Sequence, residues 1–177
     1  MALAYSTGDK VVHPAHGAGI VKKVVSRTIA GEPRQYYLIQ PLAHADLEIM
    51  VAVDKVRDVG LRNALKRTEM KRTLRMLNAT PEKVSSNYKE RQRRIGQKLQ
   101  SSNLGEVAEV ARDLAAFKRL RQGRMGVTDN RMLKQAKECI AGELAIVEGL
   151  DFEDALARVD ERLMVDDDGE DVNQLAS

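Results

Sequence analysis

Three histidines and one cysteine are the only imidazoles and thiol in this chain of 177 residues. His13 and His16 bracket Pro14 and Ala15 near a strand start, His44 lies in a turn, and Cys139 stands alone. A zinc site draws its ligands from closely spaced Cys and His pairs, and no such spacing occurs. The stretch "HGAG" (His16–Gly19) is too poor in following lysine to be a phosphate loop, and the chain continues as a strand rather than a helix. Gly17 and Gly19 are therefore assigned to a tight turn or bulge. No G-x-S-x-G occurs, and the carboxylates concentrate in the last third of the chain. With no catalytic constellation, an enzyme is not expected, and neither are a metal, a cofactor or a small-molecule substrate.

The dense chemistry lies instead in "SSNYKERQRRIGQKLQ" (Ser85–Gln100). There Tyr88 heads a run carrying Lys89, Arg91, Arg93, Arg94 and Lys98, opposed only by Glu90. The net charge of +3 conceals a strong segregation. Residues 1–54 hold five basic and five acidic side chains, residues 55–137 hold 22 and 8, and residues 138–177 hold 2 and 13. Clustered like charge repels itself unless compensated, so the middle segment points to a polyanion, with folding-back of the acidic end as the alternative. Aromatics are 3% of the chain. Tyr36 and Tyr37 are adjacent in a strand and face opposite ways, so no base-stacking platform can be assembled. This favours phosphate contact with duplex DNA over base readout.

The elements that must position these groups read as two modules. Residues 9–57 carry short runs rich in Val and Ile, "KVVHP", "AGIVKKVVSRTI", "RQYYLIQPL" and "LEIMVAV", with turn residues at Ala30–Arg34 and Ala43–Asp46. Four or five such strands suit a small Tudor- or SH3-like barrel over residues 1–58. From Leu61 the apolar period becomes helical. Leu61, Leu65, Leu74 and Leu77 outline a first helix, and Thr80-Pro81-Glu82 signals the start of a second. Asn103, Thr128 and Asp151 are expected to begin three more. The fold class is α+β: the barrel, an all-helical module over 61–165, and an acidic tail over 166–177 expected to be disordered.

On this periodicity Tyr88 shares a face with Val84, Ile95 and Leu99, which reads as core. Arg91 falls on that face too, and a buried arginine is costly without a partner, so the stripe is expected to be partly exposed. No run of 18 apolar residues and no secretory leader are found, and a lone cysteine forms no internal disulfide; a cytoplasmic protein without a membrane partner is expected.

The order of the motifs "GDKVVHPAHGAGIV", "RTIAGE", "YYLIQ", "LEIMVAVDKV", "VGLR", "NYKERQRR", "EVARDL", "RMLKQAK" and "GELA" resembles the CarD/CdnL family of bacterial transcription regulators over Gly8 to Leu163. The first module is also similar to the polymerase-interacting domain of transcription-repair coupling factors. The resemblance implies a Tudor-like domain that binds the RNA polymerase β subunit, with Arg27, Ile29, Met50 and Ala52 at the contact. It further implies helices that meet promoter DNA at the upstream edge of the bubble and stabilise the open complex. Tyr88 occupies the position of an aromatic wedge, usually tryptophan, that enters the minor groove. Lys89, Arg91, Arg93 and Arg94 would hold phosphates around it, with Lys118, Arg119 and Arg124 as further contacts. Tyrosine in place of tryptophan, Glu90 where some members carry arginine, and Ala52 where many carry proline are departures. A free-standing architectural DNA or RNA binder, using the same helices without polymerase, is the alternative.

Overall fold

The computed structural model describes residues 4–29 and 31–164. The expected acidic tail, Asp166–Asp171, lies outside the described residues. Five antiparallel strands make the first module: β1 (Lys10–His13), β2 (Gly17–Ile29), β3 (Glu32–Pro41), β4 (Ile49–Ala52) and β5 (Arg62–Asn63), in the order β4-β3-β2-β1-β5. A one-residue irregularity between Val21 and Lys23 shifts the register of β2 against β3, which lets the long β2 bend so that the sheet curls over its own core. That core holds Val11, Val21, Tyr37, Ile39, Val51, Val56 and Leu61. The architecture is α+β, a Tudor-like sheet module followed by helices.

The glycines at the head of β2 do two different jobs. Gly17 makes the turn, with φ of +71°, and Gly19 sits where a Cβ would fall 2.8 Å from the Gln40 carbonyl oxygen on β3.

Among the described residues six α-helices come after β4: α1 (Val56–Val59), α2 (Arg67–Met76), α3 (Tyr88–Gln100), α4 (Leu104–Leu120), α5 (Val127–Glu148) and α6 (Phe152–Met164). Their aliphatic core centres on Met70, Leu114, Ala136, Ile140, Leu144 and Val159. Among the described residues no helix is long and apolar enough to cross a membrane.

Four expectations are corrected. The sheet runs past residue 58, because Arg62 and Asn63 pair with Val12 and Val11 on β1. Leu61 and Leu65 are therefore not helical: Leu61 fills the sheet core and the first long helix starts at Arg67. Residues 80–87 are not helical either, although Thr80-Pro81-Glu82 has the composition of a helix start. The Glu82 amide donates to Asp113 Oδ1 at 2.9 Å, and this tertiary bond holds the segment extended against α4. Helix α5 begins one residue before the expected cap, with Gly126 at the N-cap and Thr128 already inside. Asn103 caps α4 as expected, accepting from the Gly105 amide at 2.9 Å.

Candidate nucleic-acid interface

Asn87 is the true start of α3. Its Oδ1 accepts from the Glu90 amide at 3.1 Å, and the Glu90 carboxylate takes the Ser85 hydroxyl at 3.1 Å. Glu90, the one anion of the basic run, is thereby spent on building the cap. Tyr88 becomes the first helical residue. Side chains on a helix lean toward its N-terminus, so a first-turn residue projects beyond the end rather than over a preceding turn. This is why Tyr88 is 57% exposed while Ile95 and Leu99, on the same stripe, are buried. Lys89, Arg93 and Arg94 are exposed in the first two turns of the same helix.

Arg91 is the exception, and its expected exposure is corrected. It is 8% exposed, and its Nε and Nη2 donate to Asp129 Oδ2 at 3.1 and 2.7 Å. Its Nη1 donates to the Ser85 carbonyl at 2.7 Å. A buried arginine thus has the partner that the sequence does not reveal: Asp129, 38 residues on, in the first turn of α5. With its donors directed inward, Arg91 builds the interface rather than lining it. It anchors the head of α3 and the loop before it.

A second group of cations lies at the same end of the molecule. The Arg91 guanidinium stands 4.9 Å from the centroid of the Phe117 ring and that of Arg121 stands 4.7 Å from it. The C-terminal end of α4 therefore runs beside the head of α3. Arg121 is exposed and escapes sequence reasoning, because only the shared ring brings it near Arg91. Arg124 is exposed in the following turn, and Lys118 and Arg119 are partly buried. Arg119 donates through Nη1 to the Leu163 carbonyl at the end of α6.

The four residues expected to meet polymerase also share a surface. In an antiparallel pair, directly opposed residues lie on one face. Met50 on β4 opposes Leu38 on β3, Ala52 opposes Tyr36, and Tyr36 opposes Val25 on β2; Arg27 opposes Arg34 and Ile29 opposes Glu32. Alternation along each strand links these pairs into one outer face. Ile29 and Met50 are 54% and 40% exposed on it, while Leu38 and Tyr36 are buried between them. Arg34 reaches Asp54 at 3.7 Å. Strand β4 is one of the two edges of the sheet.

Helix α5 fastens the two surfaces together. Glu143 is fully buried and forks onto Arg62 of β5, Oε1 to Nη1 at 2.7 Å and Oε2 to Nη2 at 2.9 Å. Its Oε1 also accepts the Leu65 amide at 2.7 Å. One residue before it, Gly142 lies so near β2 that an added Cβ would be 3.2 Å from the Cβ of Ala18. Asp129 and Glu143 are 14 residues apart on α5, close to four turns, so the two carboxylates lie near one side of the helix. One holds the head of α3 and the other holds the sheet.

The histidines and the cysteine stay outside this interface. The His13 and His16 rings lie 4.8 Å apart between centroids, tilted by 48° to each other. Burial, with His16 beside it, pushes the His13 imidazole below its usual range. Cys139 lies under β2 next to Gly17, and burial pushes its thiol up to about 11. Among the described residues no group of three or more His, Cys, Asp or Glu is placed to hold a metal ion.

Comparison with known proteins agrees with this two-part plan. Residues 5–64 match the CarD-like/TRCF RID domain family and residues 72–160 match the family of the CarD C-terminal domain. The chain is 25% identical over 146 residues, 82% of its length and 94% of the other's, to the candidate transcription factor YdeB of Bacillus subtilis (strain 168). With the sheet module and the helical module each matched in this order, the chain belongs to the CarD-like family of transcription-related proteins.

Proposed function

We propose that the protein docks on the β subunit of RNA polymerase and holds promoter DNA at the upstream edge of the transcription bubble, prolonging the open complex. The observation that carries this reading is Tyr88: a ring 57% exposed at the head of a helix whose first two turns also expose Lys89, Arg93 and Arg94. An exposed tyrosine accompanied by cations suits a minor groove, where phosphates on both strands meet the cations and the ring presses against an opened base step. Arg121 and Arg124, with Lys118 and Arg119, would extend the phosphate track.

The outer face of β2, β3 and β4 supports the polymerase contact. Its exposed apolar groups, Ile29 and Met50, sit among Arg27 and Arg34, which oppose each other directly. Two neighbouring cations beside apolar side chains fit a protein surface that brings a carboxylate, and β4 offers a free backbone edge to a strand. The deciding experiment measures open-complex lifetime on a promoter with wild-type protein and with Tyr88→Ala. A shortened lifetime with unchanged β-subunit affinity is expected. An unchanged lifetime would overturn the wedge, and Tyr88→Trp should lengthen it.

A further inference from the structure

A concavity lies where α6 ends against α4 and α5. It has a volume of about 260 Å³, with Ala115, Leu133 and Leu163 among its apolar walls and Lys118, Arg119 and Lys137 among its polar ones. Arg121 and Arg124 follow in sequence just past the end of α4. The last turn of α6 forms one wall, since Leu163 and Met164 line the groove and the Leu163 carbonyl receives Arg119. The chain leaves α6 at this spot.

Beyond α6 the sequence reads "VDDDGEDVNQLAS", residues 165–177, with five carboxylates, no cation, and Val165, Val172 and Leu175 as apolar groups. An extended chain covers at most about 3.5 Å per residue, so Asp166, Asp167 and Asp168 cannot lie more than about 18 Å from Leu163. Tethering at this range gives an effective concentration on the order of millimolar against cations that close. The preceding helix already has the same complementarity, with Asp160 of α6 paired to Lys137 of α5 at 2.6 Å.

We propose that residues 165–177 dock in cis on this groove, their carboxylates on Lys118, Arg119 and the cations beyond them, and compete there with duplex DNA. The segment is a polyanion set against the cations that DNA would use, so it weakens non-specific binding wherever phosphates are sparse. On a promoter opened by polymerase, where Tyr88 adds its contact, DNA displaces it. The competition rests on the proposed DNA contact, whereas the docking does not.

The test uses the full chain and a variant with Asp166, Asp167, Asp168 and Asp171→Asn and Glu170→Gln. Carbodiimide coupling and then mass spectrometry of the wild type should show this segment joined to Lys118 within a single chain, and high salt should abolish the product. The neutralised variant should bind duplex DNA about tenfold tighter near 0.1 M salt. Its log–log salt slope should be steeper by roughly two, as two cations are returned to phosphates. Coupling spread evenly onto distant lysines such as Lys22 and Lys71 would overturn the docking, as would products joining two chains. If both proteins bind DNA equally, the competition is refuted while the DNA interface stands. If neither binds DNA, with or without polymerase, both readings fall.

Discussion

Replacing Arg91 with alanine should unfold the head of α3 rather than merely weaken a contact with phosphate. Three of its hydrogen bonds, to Asp129 Oδ2 at 3.1 and 2.7 Å and to the Ser85 carbonyl at 2.7 Å, disappear together. The Asp129 carboxylate, 2% exposed, is then left buried without its cation. Removing one member of a buried pair costs about 3–5 kcal/mol, most of it from the charge left behind. For a chain of this size each kcal/mol lowers Tm by roughly 2–4 °C, which sets a fall of about 6–20 °C. Denaturant unfolding gives the free energy directly. A second variant isolates the cause: Arg91→Met with Asp129→Leu removes both charges and should recover much of the loss. If Arg91→Ala stays within about 1 kcal/mol of the wild type and loses only DNA affinity, the buried-pair argument is wrong and Arg91 faces the ligand.

The same geometry sets other outcomes. Tyr88→Ala should cost only about 1–2 kcal/mol, because less than half of the ring is covered, against the 3–5 expected of a core aromatic; a large fall in Tm would return the ring to the core. Arg93→Ala with Arg94→Ala should leave stability nearly unchanged and flatten the salt dependence of promoter binding by one to two units of log–log slope. Arg27→Glu should weaken binding to the isolated β subunit while circular dichroism of the helices stays the same, and undiminished binding would remove Arg27 from the contact. Cys139, its thiol held near 11 against an ordinary 9.0, should be alkylated about a hundredfold more slowly at pH 8 in the folded chain than in urea. The unfolded thiol ionises first as pH rises, so this group takes stability away between pH 9 and 11.

Much of the fold is legible in local pattern. The strands announce themselves by β-branched runs and the turn at Gly31, and Asn103 by its cap chemistry. The pattern hides what is long-range. Residues 80–90 contain two helix starts, Thr80-Pro81-Glu82 and Asn87 with Glu90 three residues on, and nothing local chooses between them. The choice is made by Asp113, which takes the Glu82 amide from α4. The expectation that the stripe is partly exposed around Tyr88 and Arg91 holds for the ring and fails for the arginine, for the same reason. Period places both on one face, but only Asp129 decides that the arginine can be buried, and only the start at Asn87 leaves the ring outside. Arg121 carries no local signal because its role depends on Phe117, a ring with no signal of its own.

The two buried carboxylates of α5 give the helix the properties of a lever with a clamped fulcrum. At 1.5 Å per residue, Asp129 stands about 21 Å along the axis from Glu143. A tilt of only about 10° at the Glu143–Arg62 fork would sweep the far end through about 4 Å, more than the roughly 3.4 Å that separates successive bases. On the proposed reading, whatever loosens Arg62 therefore misaims Tyr88 by a whole base step without touching either surface. Polymerase and DNA would each still be bound, but out of register with one another, and strain built up in the DNA would be spent in bending the hinge instead of being passed to the enzyme.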